Sequence, residues 1–96
     1  MDRQKLMWEI TFFFGECMEL ARKKNKDYAK GDDALCNFRN GARQVADRID
    51  EKSIRLSNLL GGKEANCESV TDTLMDIANY AAIAYVLIKE GKESDG

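Results

Sequence analysis

The stretch NCESVTDTLMDIANYAAIAYVLIKEG, at residues 66–91, decides the fold because its apolar residues recur with the period of an α-helix. We predict that one side of this helix faces the core, through Val70, Leu74, Ile77, Ala81, Ala84, Tyr85 and Ile88. The opposite side carries a polar band at spacings of four, four and three: Glu68, Asp72, Asp76 and Asn79. This acidic band continues as Ile83 and Val86, which predicts that it enters the protein interior or an interface.

Carboxylates inside a protein need a positive partner, because an unpaired buried charge is too costly. The acidic band therefore indicates a site for a metal ion, an arginine or a lysine. In the alternative interpretation, the first two turns are exposed, and Glu68 and Asp72 only favour the helix N-terminus through the helix dipole.

Composition narrows the functional classes. The 96 residues, 44 % of them hydrophobic, predict one domain near the small end of independent folding. The net charge of −2 gives no general attraction to nucleic acid polymers or anionic membranes. Histidine is absent, so a metal would be bound by carboxylate oxygens, which favours Mg²⁺ or Mn²⁺. Three cysteines without a C-x-x-C pair indicate a reducing, cytoplasmic location.

The pattern along the chain predicts an all-α fold, a small antiparallel helical bundle with two or three long helices and one short helix. We expect one domain at residues 1–91 and a disordered tail at residues 92–96. The first long helix is predicted from Asp2, its N-cap, to Lys24, and the short helix at residues 33–40, with Phe38 as a core residue. The second long helix is predicted at residues 42–60, with a core face formed by Ala42, Val45, Ala46, Ile49, Ser53, Leu56 and Leu60.

The loop at residues 61–65 is short, so we expect the last two long helices to pack antiparallel. The apolar residues of the first helix spread too widely around it for one stripe, and residues near the end of the last helix are apolar on every side. We therefore expect the last helix to be buried all round near its end, and homo-oligomerisation to complete the bundle.

Basic, aromatic and amide side chains are typical of a surface that binds a phosphorylated ligand. Lys24, Lys26, Arg48, Lys52 and Arg55 are candidates for clamping phosphates. Tyr28, in a predicted loop at residues 27–33, or Tyr80 would stack on a base, while Asn58 and Asn79 would contact its edge. In the alternative interpretation, these basic residues form a solvated surface with weak ion pairs.

Candidate metal ligands lie on both halves of the predicted antiparallel hairpin. They are Asp47, Asp50, Glu68, Asp72 and Asp76, and the hairpin would bring Asp47 and Asp50 to Asp76 and Asn79. The residues alone assign no catalytic group.

Three segments of the chain resemble the nucleotide modification associated domain family of small phage and prophage proteins. They are KDY at 26–28 with Asn37-Phe38 after it, DEKSIRLSNL at 50–59, and ES at 68–69 followed by DTLMDIANYA at 72–81. The resemblance covers roughly residues 20–90, and the third segment is its most specific part. It implies an all-helical fold and work on nucleotides in the cytoplasm of a phage-infected bacterium.

A looser similarity is to the MazG-type all-α nucleoside triphosphate pyrophosphohydrolases, in which E-x-x-E and E-x-x-D carboxylates on two antiparallel helices bind Mg²⁺. This chain has Asp47-x-x-Asp50 and Asp72-x-x-x-Asp76 instead, so one spacing differs and the first motif lacks its glutamates. The departure favours binding over hydrolysis.

Three hypotheses follow. In the first, the chain binds a nucleotide or cyclic nucleotide and, in a phage setting, sequesters a nucleotide second messenger of host defence. In the second, it is an Mg²⁺-dependent pyrophosphohydrolase. In the third, it is a structural helical oligomer whose charges form surface pairs.

Overall fold

A computed structural model describes residues 1–28, 34–62 and 67–92, without the side chains of residues 27, 28, 67 and 68. Three helices account for most of this part of the chain: α1 at Arg3–Tyr28, α2 at Ala42–Gly61 and α3 at Cys67–Lys89. The predicted all-α class is confirmed, since no strand occurs in the described residues. None of the described helices combines the length and the apolar character that crossing a membrane requires.

Helices α2 and α3 form the predicted antiparallel hairpin. The backbone N–H of Ala42, at the start of α2, donates to the carbonyl of Lys92 just beyond the end of α3, at 2.9 Å. Lys92 lies in the predicted tail but is held by this bond, whereas residues 93–96 lie outside the described part. Helix α1 packs on α3, where Asn79 Nδ2 donates to the carbonyl of Cys17 at 3.1 Å. Helix α3 is therefore the central helix.

The start of α1 is as predicted, but its end is not. Asp2 caps the helix, because its Oδ1 accepts the backbone N–H of Lys5 at 2.8 Å. The helix then continues four residues beyond Lys24, to Tyr28, so Lys26 lies within α1 and the predicted loop at residues 27–33 starts too early. Residues 29–33 of that loop lie outside the described part.

The predicted short helix is wrong for residues 34–40, which form turns; Asp33, its predicted start, lies outside the described part. The side chain of Gln44 takes the backbone groups that a helix would use: its Nε2 donates to the carbonyl of Asn37 at 3.1 Å, and its Oε1 accepts the N–H of Asn40 at 3.2 Å. Gly41 then turns the chain into α2 at a φ of 75°, a conformation that glycine adopts without strain. Phe38 is half-buried rather than a core residue.

The side of α2 that faces α3 is shifted from the predicted side and includes a lysine. The side chains that are buried or half-buried there recur at spacings of three and four: Ala42, Val45, Ile49, Lys52, Leu56 and Leu59. Ala46, Ser53 and Leu60, which were predicted to face the core, are exposed. A lysine thus occupies a position of the apolar series.

The predicted core stripe of α3 is wrong at Leu74, Ala81, Tyr85 and Ile88, which are exposed, whereas Val70, Ile77 and Ala84 are half-buried. The buried or half-buried series on α3 is instead Ser69, Thr73, Asp76, Tyr80, Ile83 and Leu87. Both α1 and α2 pack on this more polar side of the central helix, which contains the buried residues Thr73 and Leu87. For the same reason, the end of α3 is not buried all round.

Thr73 shows how a polar residue fits the core of α3. Its hydroxyl donates to the carbonyl of Ser69 at 2.7 Å, so the side chain is 2 % exposed without an unpaired polar atom. This internal hydrogen bond makes the polar side of α3 suitable for burial.

Candidate functional site

Three charged side chains, one from each helix, meet near the middle of the structure. Lys24 Nζ of α1 donates to Asp76 Oδ1 of α3 at 2.9 Å, and Lys52 Nζ of α2 lies 3.1 Å from Asp76 Oδ2. We refer to Lys24, Lys52 and Asp76 as the polar layer. With two ammonium groups and one carboxylate, the polar layer has a net charge of +1.

The polar layer exists because each member occupies a position where its helix otherwise places contact residues. Lys24 follows Phe13, Cys17 and Leu20, three buried or half-buried residues of α1, at spacings of four, three and four. Lys52 and Asp76 belong to the facing series of α2 and α3. The Asp76 side chain is consequently only 15 % exposed, which confirms that this part of the acidic band faces inward, toward cations.

Asn79 holds α1 against α3 one turn beyond the polar layer. Its contact is the backbone carbonyl of Cys17, whose side chain is 4 % exposed. Burial, and to a lesser extent the charge of Glu16, raises the pKa of the Cys17 thiol. The thiol therefore stays protonated at neutral pH and acts as a small core residue.

The charge of Asp76 is stabilised by its two lysines. Burial raises the pKa of this carboxyl group, but the hydrogen bonds from Lys24 and Lys52, together with their positive charges, outweigh burial. The net effect is a pKa below the ordinary value. Asp76 is therefore ionised throughout the neutral range.

This depressed pKa predicts a loss of stability in acid. A carboxyl group whose pKa is lower in the folded state stabilises the fold above its unfolded pKa of about 4, and this contribution disappears as pH falls through the folded pKa. The free energy of unfolding of the wild-type chain should therefore exceed that of Asp76→Asn at pH 7, and the difference should shrink below about pH 4. Urea unfolding of both proteins across pH 2–7 measures this, and a difference independent of pH would contradict the assignment.

No hydrogen bond or ion pair among the described residues joins the other predicted ligand residues to the polar layer. Lys26, Arg55 and Asn58 are exposed, and Arg48 is exposed and pairs with Glu51 at 3.2 Å on its own helix. The side-chain amide of Asn79 donates to the backbone carbonyl of Cys17, and Tyr80 is half-buried. The side chain of Tyr28 lies outside the described part of the chain. The structure thus brings together Lys24 and Lys52 out of the predicted set.

The predicted metal ligands whose side chains are described are exposed, except Asp76. Asp47, Asp50 and Asp72 are exposed, and the side chain of Glu68 lies outside the described part. No group of three or more acidic or cysteine side chains among the described residues is arranged to hold a metal ion. The two oxygens of Asp76 contact lysines instead.

The expected meeting of Asp47 and Asp50 with Asp76 fails because of the angle around α2. Lys52, two residues after Asp50 and so about 200° further round the helix, is the residue directed at α3. The core face predicted for α2 did not include Lys52. The alternating spacing of three and four from Ala42 to Leu59 is the signal that identifies Lys52 as a contact position.

Comparisons with known proteins add no further constraint. No family model, no curated protein and no solved structure matches this chain. The resemblances to the nucleotide modification associated domain family and to the MazG-type enzymes therefore stay predictions.

Proposed function

We propose that this chain is a phage-type nucleotide-binding protein in which the polar layer binds a phosphate group of the ligand. The observation that carries the proposal is the convergence of Lys24 and Lys52, from two different helices, on the single carboxylate of Asp76. One carboxylate neutralises only one of the two ammonium groups, so the polar layer favours an additional anion.

The two lysines retain the capacity to contact a ligand. Each ammonium group has three donors and uses one of them on Asp76. The Lys24 side chain is 47 % exposed and that of Lys52 is 30 % exposed, so a ligand can reach both from solvent. Asp76 lies between the two ammonium groups and offsets their mutual repulsion.

Residues near Lys52 extend this basic surface. Arg48 and Arg55 lie four residues before and three residues after Lys52, which places both beside it on α2. No carboxylate of the described residues forms an ion pair with Arg55, so its guanidinium can bind a phosphate in a bidentate manner. Tyr80, one turn after Asp76 on α3, is the described aromatic residue that we assign to base stacking.

The resemblance to the nucleotide modification associated domain family supports a nucleotide as the ligand. In a phage-infected cell, a protein of this kind would sequester a nucleotide second messenger of host defence. We favour binding over Mg²⁺-dependent hydrolysis because Asp76, the only half-buried member of the predicted metal set among the described side chains, is already paired with two lysines.

A second candidate function, a structural helical homo-oligomer, is supported by the exposed apolar surface of α1. Its exposed large apolar side chains are Leu6, Met7, Trp8, Ile10, Phe12, Phe14 and Met18. Assembly is compatible with ligand binding, and we propose that the chain does both.

Ligand binding is tested by isothermal titration and thermal shift with nucleoside triphosphates and cyclic oligonucleotides, with and without Mg²⁺. We expect at least one of these ligands to raise the Tm, and the double variant Lys24→Met/Lys52→Met to weaken its binding by about 100-fold, tenfold for each charge-assisted contact. Lys23→Met is the matched control, since it removes the same charge from an exposed position beside Lys24. Its affinity should stay within about twofold of wild type.

The Asp76→Asn variant distinguishes phosphate binding from Mg²⁺-dependent hydrolysis, because the two functions predict different changes in ligand affinity and in pyrophosphate release. It raises the net charge of the polar layer from +1 to +2, so it should tighten phosphate binding. If Asp76 bound Mg²⁺ for hydrolysis, the variant would instead abolish Mg²⁺-dependent pyrophosphate release. Absence of a thermal shift with every ligand, or equal losses in the double variant and in Lys23→Met, would refute the proposal.

A further inference from the structure

Helices α2 and α3 each carry an exposed series of uncharged residues that repeats every seven positions. The series of α2 is Ala46, Ser53 and Leu60, and that of α3 is Leu74, Ala81 and Ile88. Seven residues are close to two helical turns, so each series stays on one side of its helix. None of the six residues is charged, although 33 % of the chain is. Such a repeat is typical of helices that pack on further helices.

Both series lie on the side of the α2–α3 hairpin that faces away from α1. The residues of α3 that contact α1 are Asp76 and Asn79. The exposed series of α3 lies about 120–180° round the helix from both of them. On α2, Lys52 lies near the edge of the α3-facing series that is closest to α1, because it meets Lys24 at Asp76. The exposed series of α2 lies beyond the opposite edge, beside Ile49. We call this common surface of the two helices the outer face.

The outer face is where hydrophobicity placed the core of both helices. Both exposed series belong to the core sides predicted from the sequence. Amphipathic periodicity identifies the side of a helix that leaves water, and it does not distinguish the core of the chain from an interface. A partner on the outer face would therefore explain both disagreements between sequence and structure by one physical cause.

The surface of the chain is large for its mass. It measures 7613 Å², whereas a compact monomer of 10.9 kDa exposes about 5,600 Å². Helix α2, with 20 residues, is about 30 Å long, and two helices side by side are about 20 Å wide. The outer face thus covers about 600 Å² in projection, and the relief of its side chains raises the accessible area above this. A standard interface buries about 800 Å² on each partner, so the outer face has the size that a specific dimer needs.

We propose that two copies of this chain dimerise through their outer faces, about a two-fold axis parallel to the helices, to form a four-helix bundle. Each α2 then packs on the partner's α3 and runs antiparallel to it, as in the hairpin itself. A two-fold axis is the commonest symmetry of homo-oligomers. This inference rests on the assembly proposed above and names a surface for it; it does not depend on nucleotide binding.

The outer face is complementary to itself in this arrangement. The contact between Lys52 and Asp76 shows which residues of α2 and α3 lie at the same level. The two-fold axis keeps these levels between α2 and the partner's α3. Ser53, the neighbour of Lys52, therefore lies opposite the partner's Leu74, and a small side chain meets a large one. A helical serine can direct its hydroxyl to a carbonyl of its own helix, which makes Ser53 compatible with burial.

The same pairing holds about ten residues away along the bundle. Ala42 lies opposite the partner's Ile88, which again joins a small side chain to a large one. Between these positions, Ala46 and the partner's Ala81 allow the helices to approach closely. A second copy of the chain thus offers the outer face an uncharged helical surface of equal size and matching shape.

The Ala81→Glu variant provides the sharpest test, because it places a carboxylate at the centre of the outer face, twice in the dimer. Ala81 is exposed in the chain, so the monomer stays folded by circular dichroism. By sedimentation equilibrium we expect a dimer for wild type and a dissociation constant raised at least about 100-fold for Ala81→Glu. Ala82→Glu is the matched control: Ala82 is also exposed, but it lies about 100° further round α3, outside the outer face. This control should leave the dimer intact.

An exchange of side-chain volume tests the pairing of α2 with the partner's α3. Ser53→Leu overfills the contact and Leu74→Ala leaves a gap, so each should weaken the dimer by about tenfold. The double variant Ser53→Leu/Leu74→Ala moves the large side chain from α3 to α2 and should restore the dissociation constant to within about threefold of wild type. Losses that simply add in the double variant would refute this pairing of helices.

The outcomes separate this inference from the proposals on which it rests. A wild-type chain that sediments as a monomer at millimolar concentration would mean that a different protein covers the outer face, and would refute both assembly and this interface. A dimer that Ala81→Glu leaves intact, or that Ala82→Glu weakens equally, would refute the outer face alone. Nucleotide titration of Ala81→Glu should give wild-type affinity, since the polar layer lies on the side of the hairpin that faces α1, so a failure of ligand binding is detected independently.

Discussion

Replacing Leu87 with alanine should lower the free energy of unfolding by about 3 kcal/mol, the middle of the range for a buried leucine. Ile88→Ala, at the next residue of α3, should lower it by less than about 1 kcal/mol. Leu87 is fully buried, whereas the Ile88 side chain is 52 % exposed. Since small domains have a total stability of about 5–15 kcal/mol, the loss at Leu87 is large enough to change the folded population.

This pair of variants tests which side of α3 faces the core. The two side chains are close in volume and lie on the same helical turn, so helix propensity contributes little to the comparison. Urea unfolding of wild type and both variants should be measured at one low protein concentration, and repeated at a tenfold higher one to detect any contribution from assembly. If Ile88→Ala cost as much as Leu87→Ala, the stripe of Leu74, Ala81, Tyr85 and Ile88 would be the core after all.

The helices themselves were predictable because their signals are local. Apolar periodicity and the glycines at either end placed α2 within one residue at its C-terminus, and α3 within two residues at its ends. The N-cap of α1 followed from Asp2 alone. Capping and periodicity depend on neighbouring residues in the chain, and sequence supplies these directly.

The choice of the core side of α3 was not predictable in the same way. Hydrophobicity favours the stripe from Val70 to Ile88, but α1 and α2 both pack on the side that carries Thr73 and Asp76. Which side two other helices cover is decided by all three helices together, and periodicity within one helix does not contain that information.

The candidate site was predicted in part. The continuity of the acidic band with Ile83 indicated that it turns inward and meets a cation, and Asp76 does so. Lys24 and Lys52 were both candidates for a ligand site, yet their common contact with Asp76 joins residues far apart in the chain. Only the packing of α1 and α2 on α3 brings these residues together.

Replacing the polar layer with apolar residues should also change the free energy of unfolding. Asp76→Leu alone should destabilise the chain by about 1–2 kcal/mol, because Lys24 and Lys52 lose their anion and repel each other. The loss is smaller than for a fully buried pair since both lysines reach solvent. The triple variant Lys24→Leu/Lys52→Leu/Asp76→Leu removes all three charges and should be at least as stable as wild type, since an apolar replacement of a whole charge cluster is often neutral or stabilising.

The triple variant distinguishes a ligand site from a structural device. Its leucines would occupy contact positions on all three helices, so the expected result is a folded chain that no longer binds a phosphorylated ligand. That combination would mean that the charges are retained for binding, since the fold does not need them. If the triple variant instead lost its cooperative unfolding, or paired its helices in a different register, the polar layer would serve to fix the alignment of α1 and α2 on α3. Chemical unfolding and nucleotide titration of the same protein sample give both results.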